Sequence, residues 1–123
     1  KILVVDDNDM NRLVLKRLLA IWNAEFIEVS TGQDAIETVK TNSIDLILMD
    51  LQMQTMDGFE ATSKISTLNT QIPVIAMSAN QPGDFEEDYY KTGFSSFVHK
   101  PFDPEDLYSQ IIKLLNTDEK KHS

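Results

Sequence analysis

The sequence predicts an α/β fold, a parallel sheet sandwiched between helices and built from five consecutive strand–helix units. Three observations predict it. Apolar runs of strand length alternate with segments whose apolar residues recur at helical spacing. The run Ile44 to Met49 is apolar at nearly every position, as a strand covered on both faces must be. The 123 residues contain no repeat and no linker, which suits one domain and one core.

The elements follow in order. Ile2 to Val5 is a short apolar first strand, and Asp6-Asp7-Asn8-Asp9 after it is a cluster of helix N-cap types. Met10, Leu13, Val14, Leu18 and Ile21 recur at helical spacing, and Asn23 can end that helix in a left-handed conformation. Phe26 to Val29, interrupted by Glu28, reads as a less buried second strand. Ser30 or Thr31 then caps a helix carrying Ala35, Ile36 and Val39. Ile44 to Met49 is the third strand. Asp57 with Glu60 forms an aspartate version of the capping box and opens a helix with Phe59, Ile65 and Leu68. Pro73 to Met77 is the fourth strand, and 82–92 reads as a weak, acidic helix that Gly93 terminates. Phe97-Val98 centres a short fifth strand. Asp103-Pro104 caps and starts a last helix with Leu107, Ile111, Ile112 and Leu115 on its inner face. The folded unit is expected over 1–116, with 117–123 as a polar C-terminal tail.

Composition removes several classes of function. The net charge of -9 argues against binding nucleic acid or an anionic membrane, because no basic stripe or basic helix appears. No cysteine is present, so disulfides and thiolate metal sites are excluded. No apolar run approaches the roughly 20 residues of a membrane span, and no signal peptide is visible. The opening on Lys1, directly before an apolar run, fits a piece cut from a longer protein and fits methionine removal equally well. The acidity itself has a plain reading as a solvated surface and a sharper one as a cluster that holds a cation.

In open parallel sheets ligands bind beyond the carboxyl ends of the strands, near the reversal in strand order. Asp6 and Asp7 follow strand one, Asp50 ends strand three, Ser78 follows strand four and Lys100 follows strand five. If strands one, three, four and five are neighbours, these groups converge. Singly each has a plain alternative: Asp6 and Asp7 equally suit a helix cap, Ser78 suits turn chemistry, and Lys100 before Pro101 suits an exposed turn. Asp50 is harder to dismiss, since a lone carboxylate closing a buried run is costly without a partner. Two unit charges about 4 Å apart repel by roughly 4 kcal/mol at an effective dielectric of about 20, and one lysine cannot neutralise three acids. An all-oxygen donor set selects magnesium or a similar hard ion, which keeps waters and leaves room for phosphate oxygens. Carboxylates, a cation, a hydroxyl and a lysine are the groups that stabilise a transferring phosphoryl, and a carboxylate beside the metal can be its nucleophile.

Five motifs in order, VVDDN at 4–8, LILMDLQM at 46–53, MDG at 56–58, PVIAMSA at 73–79 and FVHKPF at 97–102, resemble the receiver domain of two-component response regulators. The opening VVDDNDMNRLV and the run MDLQM look most like receivers attached to hybrid sensor histidine kinases. The resemblance implies a (βα)5 flavodoxin-like, CheY-like three-layer sandwich with strands in the order 2-1-3-4-5. It implies a signalling domain, not an enzyme with its own substrate, that assists its own phosphorylation and dephosphorylation. It casts Asp50 as phosphoacceptor, with magnesium (or manganese) held by Asp7 directly, by Asp6 mainly through water, by Asp50, and by the backbone carbonyl of Gln52. Lys100 would pair with phosphoryl oxygens, Ser78 would donate its hydroxyl to them, and Phe97 would change rotamer in response. Pro101 would follow a cis peptide bond, and Gln52 and Asn80 resemble positions that tune dephosphorylation. The switched surface would be the helix at 82–92 with the fifth strand. The partner implied is a histidine kinase dimerisation domain or a histidine phosphotransfer domain, docking over Asn8, Asn11, Val14 and Phe102. The setting implied is the cytoplasm, or the cytoplasmic part of a membrane-bound hybrid kinase, with no nucleic acid and no membrane contact by this chain. Three residues depart from the family pattern: Gln54 where proline is usual, Ser78 for threonine, and Phe97 for the frequent tyrosine.

A phosphohydrolase of the haloacid-dehalogenase type also places a nucleophilic aspartate after an apolar strand. It needs an acid two residues on, where this chain has Gln52, and a capping domain for which there is no room. A non-phosphorylated pseudo-receiver is disfavoured by the intact acids, serine and lysine. A flavin-binding relative of flavodoxin lacks its phosphate loop after strand one.

Overall fold

The computed structural model describes residues 1–51, 58–68, 71–78, 93–100 and 103–121, with backbone alone at 59 and 116–121. Strands β1 (Ile2–Val5), β2 (Phe26–Val29), β3 (Leu46–Asp50), β4 (Val74–Ser78) and β5 (Ser96–His99) form one parallel sheet in the order β2-β1-β3-β4-β5. The described helices are α1 (Asp9–Ile21), α2 (Gly32–Thr41), α3 (Gly58–Leu68) and α4 (Pro104–Lys121). The expected helix at 82–92 lies outside the described residues, as do Gln52, Gln54, Asp57, Asn80, Pro101 and Phe102.

The layers follow from strand alternation. On β1, Leu3 and Val5 face one side and Ile2 and Val4 the other; on β3, Ile47 and Met49 oppose Leu46 and Leu48. The first set packs with Ala35 and Ile36 of α2 and Ala61 and Ile65 of α3. The second packs with Leu15 and Leu19 of α1 and Leu107 and Ile111 of α4. Both faces of the central strands are therefore dry, as their unbroken apolar runs require. The chain leaves β1 toward β2, then jumps back across β1 to β3, so right-handed crossovers put α1 and α2 on opposite faces.

Local signals act where expected. The Asn8 side chain caps α1 by accepting from the Asn11 N–H at 3.0 Å, and Thr31 caps α2 by accepting from Asp34. Asn23 adopts φ 58° just past α1, the left-handed geometry its short polar side chain tolerates. Asp103 caps α4 by accepting from the Glu105 N–H at 3.1 Å. Gly93 has φ +120°, and a side chain there would also run into Ser66 of α3.

Two faces differ from the sequence reading. The stripe assigned to α1 is largely outward: Met10, Leu13, Val14 and Ile21 are exposed, while Leu15 and Leu19 are buried and Leu18 and Trp22 pack beside them. Apolar residues occupy more than one side of this helix, so periodicity alone leaves its phase open. On α4, Leu107 and Ile111 are buried and Leu115 packs against them, but Ile112 is exposed. That helix continues to Lys121, past residue 116.

Candidate functional site

Alternation carries the apolar pattern to a polar end. Asp6 continues the series Ile2, Val4, and Asp50 the series Leu46, Leu48, and β1 and β3 are neighbours. Both carboxylates therefore reach the carboxyl edge on the same side of adjacent strands, at the reversal in strand order. Asp6 is fully buried and Asp50 is 2% exposed, whereas Asp7 is exposed. One carboxylate oxygen from each of Asp6, Asp7 and Asp50 lies within 4.8 Å of the others.

Lys100 reaches this cluster from β5. Its N–H donates to the Ser78 carbonyl at 2.8 Å, which fixes the backbone beside β4. Its Nζ lies 3.1 Å from Asp50 Oδ1 and 3.3 Å from Asp6 Oδ2. Ser78 is buried at the end of β4, one residue past the Asp50–Met77 register pair, and the Leu51 N–H donates to the Met77 carbonyl. Phe97 is half-buried on β5, with its ring 6.4 Å from that of His99. The fold thus brings Asp6, Asp7, Asp50 and Lys100 together and sets Ser78 on the neighbouring strand end. Gln52, Asn80, Pro101 and Phe102 lie outside the described residues.

Among the docking candidates, Val14 is exposed and Asn11 half-buried, and Asn8 has its side chain engaged as the α1 cap. One residue close to the site had no place in the sequence reading. Arg12 donates from Nη1 to the Asp6 carbonyl at 2.6 Å, and also bonds Asp9 and Glu28. The Lys16 ammonium, 2.8 Å from Glu28 Oε2, holds that carboxyl below its usual range, with Arg12 adding to the effect.

The donor set suits a hard divalent ion. It is all oxygen, and Lys100 brings a single positive charge to three carboxylates. Oxygens at about 2.1 Å from magnesium stand at most about 4.2 Å apart, and one oxygen from each of the three acids lies within 4.8 Å of the others. Among the described residues no helix is long and apolar enough to cross a membrane.

Known proteins are similar to this chain. The model of the response regulator receiver domain matches residues 2–112. The transcription factor SKN7 of Candida albicans is 35% identical over 121 residues, 98% of this chain and 22% of that protein. The autoinducer 1 sensor kinase/phosphatase LuxN of Vibrio campbellii is 34% identical over 100 residues, 81% of this chain and 12% of that protein. The chain thus spans less than a quarter of the length of these relatives. Hybrid histidine kinases are among the further relatives, including one from Dictyostelium discoideum at 34% identity over 92% of this chain and 6% of that protein. A receiver domain of a Pseudomonas aeruginosa sensor histidine kinase, solved with a magnesium ion coordinated in its active site cleft, superposes with a TM-score of 0.86. It is 27% identical and covers 94% of this chain and 96% of its own. A CheY-like receiver from Methanospirillum hungatei shares the fold at TM-score 0.91 and 23% identity over 98% of this chain and 96% of its own. From its first strand to its last helix, then, the chain belongs to the response regulator receiver domains, the phosphoacceptor signalling modules of two-component systems.

Proposed function

We infer that this chain accepts a phosphoryl group on Asp50 from a phosphohistidine of a partner in a phosphorelay. The observation that carries it is a carboxylate 2% exposed, held by Lys100 at 3.1 Å beside two further acids at a sheet edge. A carboxylate oxygen of Asp50 attacks phosphorus as the phosphorus–nitrogen bond breaks, and the electron pair leaves on the imidazole nitrogen, which solvent protonates. Asp7, Asp50 and the Gln52 backbone carbonyl would hold magnesium or manganese directly, with Asp6 acting through water. Both Asp6 carboxylate oxygens already accept protein hydrogen bonds, from the Asn8 N–H and Lys100, which supports the indirect role. The bound ion supplies positive charge against the carboxylates and the phosphoryl oxygens.

Phosphorylation converts about one negative charge into nearly two and adds acceptor oxygens. Lys100 then pairs with a phosphoryl oxygen, and the Ser78 hydroxyl donates to another. Phe97 responds by repacking, without the hydrogen bond a tyrosine would add, and the helix at 82–92 with β5 forms the switched surface. Gln52 and Asn80 set how fast water removes the phosphoryl group, and Pro101 directs Lys100. The signalling unit is residues 1–116 with 117–123 as a polar extension, working in the cytoplasm or the cytoplasmic part of a hybrid kinase. A kinase dimerisation domain or phosphotransfer domain docks over Asn8, Asn11, Val14 and Phe102; the exposure of Val14 beside exposed Met10 supports an apolar contact there.

The test is labelling by acetyl phosphate with magnesium: wild type is expected to take up phosphate and Asp50→Asn is not. Equal labelling of the two refutes Asp50 as acceptor. The same assay with a phosphorylated histidine phosphotransfer domain reads the docking surface, and transfer unaffected by Asn11→Lys removes it.

A further inference from the structure

Glu28 interrupts the apolar run of β2, and its partners explain why. Its carboxylate receives Lys16 Nζ at 2.8 Å and Arg12 Nε at 3.3 Å. Arg12 is only 14% exposed, and its fork spans three attachments: Glu28 on β2, Asp9 at the start of α1, and the Asp6 carbonyl at 2.6 Å. That carbonyl belongs to the peptide unit joining Asp6 to Asp7. The other hydrogen-bonding groups of Asp6 are also engaged: its N–H donates to Val29 at 3.2 Å, Oδ1 accepts from Asn8 at 2.9 Å, and Oδ2 accepts from Lys100 at 3.3 Å.

We propose, on the reading that Asp6 and Asp7 hold the divalent cation, that Arg12 is a positioning residue for that site. Braced by Glu28, it fixes the Asp6–Asp7 peptide and so sets where both carboxylates point. The planar guanidinium can reach all three partners at once, whereas a lysine ammonium on a flexible stem cannot reproduce the fork. Charge and geometry make opposite predictions here. As a charge alone, Arg12 repels a nearby dication, so its removal should tighten magnesium binding. As a brace, its removal lets the two acids wander, and binding should weaken.

Calorimetric titration of wild type, Arg12→Lys and Arg12→Ala with magnesium chloride tests this, alongside urea unfolding and amide hydrogen exchange at Asn8 in metal-free protein. Both variants are expected to bind magnesium roughly tenfold more weakly, the usual effect of losing a group that orients a metal ligand. The Asn8 amide should also exchange faster. Affinity that is unchanged or raised in either folded variant overturns the proposal. Should the Arg12 variants fail to fold, Glu28→Gln on a separate element keeps the guanidinium and carries the same test. A smaller loss of magnesium affinity supports the brace, and no loss overturns it. A wild type that binds no magnesium refutes the metal-site reading instead; Asn8 exchange then still decides the structural claim, since unchanged exchange in Arg12→Lys removes Arg12 as a brace.

Discussion

Replacing Asp50 by its neutral isostere should stabilise the metal-free protein. In the wild type, Asp50 Oδ1 stands 3.1 Å from Lys100 Nζ, an attraction of about 5 kcal/mol at an effective dielectric of ~20. Asp6 lies within 4.8 Å, a repulsion of about 3.5 kcal/mol or more on the same scale. The exposed Asp7 adds about 1 kcal/mol under water-like screening. These three terms nearly cancel. Beside them stands the dehydration of a carboxylate only 2% exposed, several kcal/mol gross for one ion. An asparagine amide carries much less of that cost, and Lys100 keeps Asp6 as a partner at 3.3 Å. Asp50→Asn is therefore expected to gain about 1–2 kcal/mol in urea unfolding without magnesium. Magnesium at about ten times its dissociation constant should stabilise wild type by about 1.4 kcal/mol and the variant by much less, so the two curves converge. A metal-free variant at least about 1 kcal/mol less stable than wild type, or an equal gain from magnesium in both, would refute this account of the site.

Two further substitutions probe the surroundings. A Cβ on Gly58 would stand 2.4 Å from the Asp50 carbonyl oxygen and 2.8 Å from Leu51 Cα, both backbone atoms, so α3 or the end of β3 must shift. Gly58→Ala should cost about 1–3 kcal/mol in urea unfolding and slow acetyl phosphate labelling, and a variant with wild-type stability and labelling speaks against the close packing. Thr62 Oγ1 is buried with no hydrogen-bond partner among the described residues. Thr62→Val is expected to raise stability by about 1 kcal/mol, and a comparable loss in urea unfolding would mean the hydroxyl is satisfied.

The site was legible wherever one rule sufficed. Apolar runs locate the carboxyl ends of the first four strands to within a residue, and a parallel sheet gathers those ends on one edge, so Asp6, Asp7, Asp50, Ser78 and Lys100 could be grouped from sequence. The orientation of α1 could not be read the same way. Leu13, Val14, Leu15, Leu18, Leu19 and Ile21 cover more than one side of the helix, and only the sheet decides that Leu15 and Leu19 turn inward. Arg12 was hidden for a different reason: an arginine in a first helical turn reads as solvated surface. The available clue was Glu28, since a carboxylate within an apolar strand calls for a cation. Nothing in the spacing of 12 and 28 names which one.

On the proposed phosphotransfer reading, the site divides into a fixed half and a responsive half. Asp6 is tied to α1, β2 and β5 through Arg12, the Val29 carbonyl and Lys100, so it moves only if several elements move. A backbone hydrogen bond joins Ser78 and Lys100 at the ends of β4 and β5. Lys100 divides its charge between Asp50 and Asp6 in this state. On the proposed reading, added negative charge at Asp50 competes with Asp6 for Lys100, which stands just past β5 and not in the braced turn after β1. On the proposed reading, a signal written at Asp50 leaves through β4 and β5, away from the acids that would hold the cation.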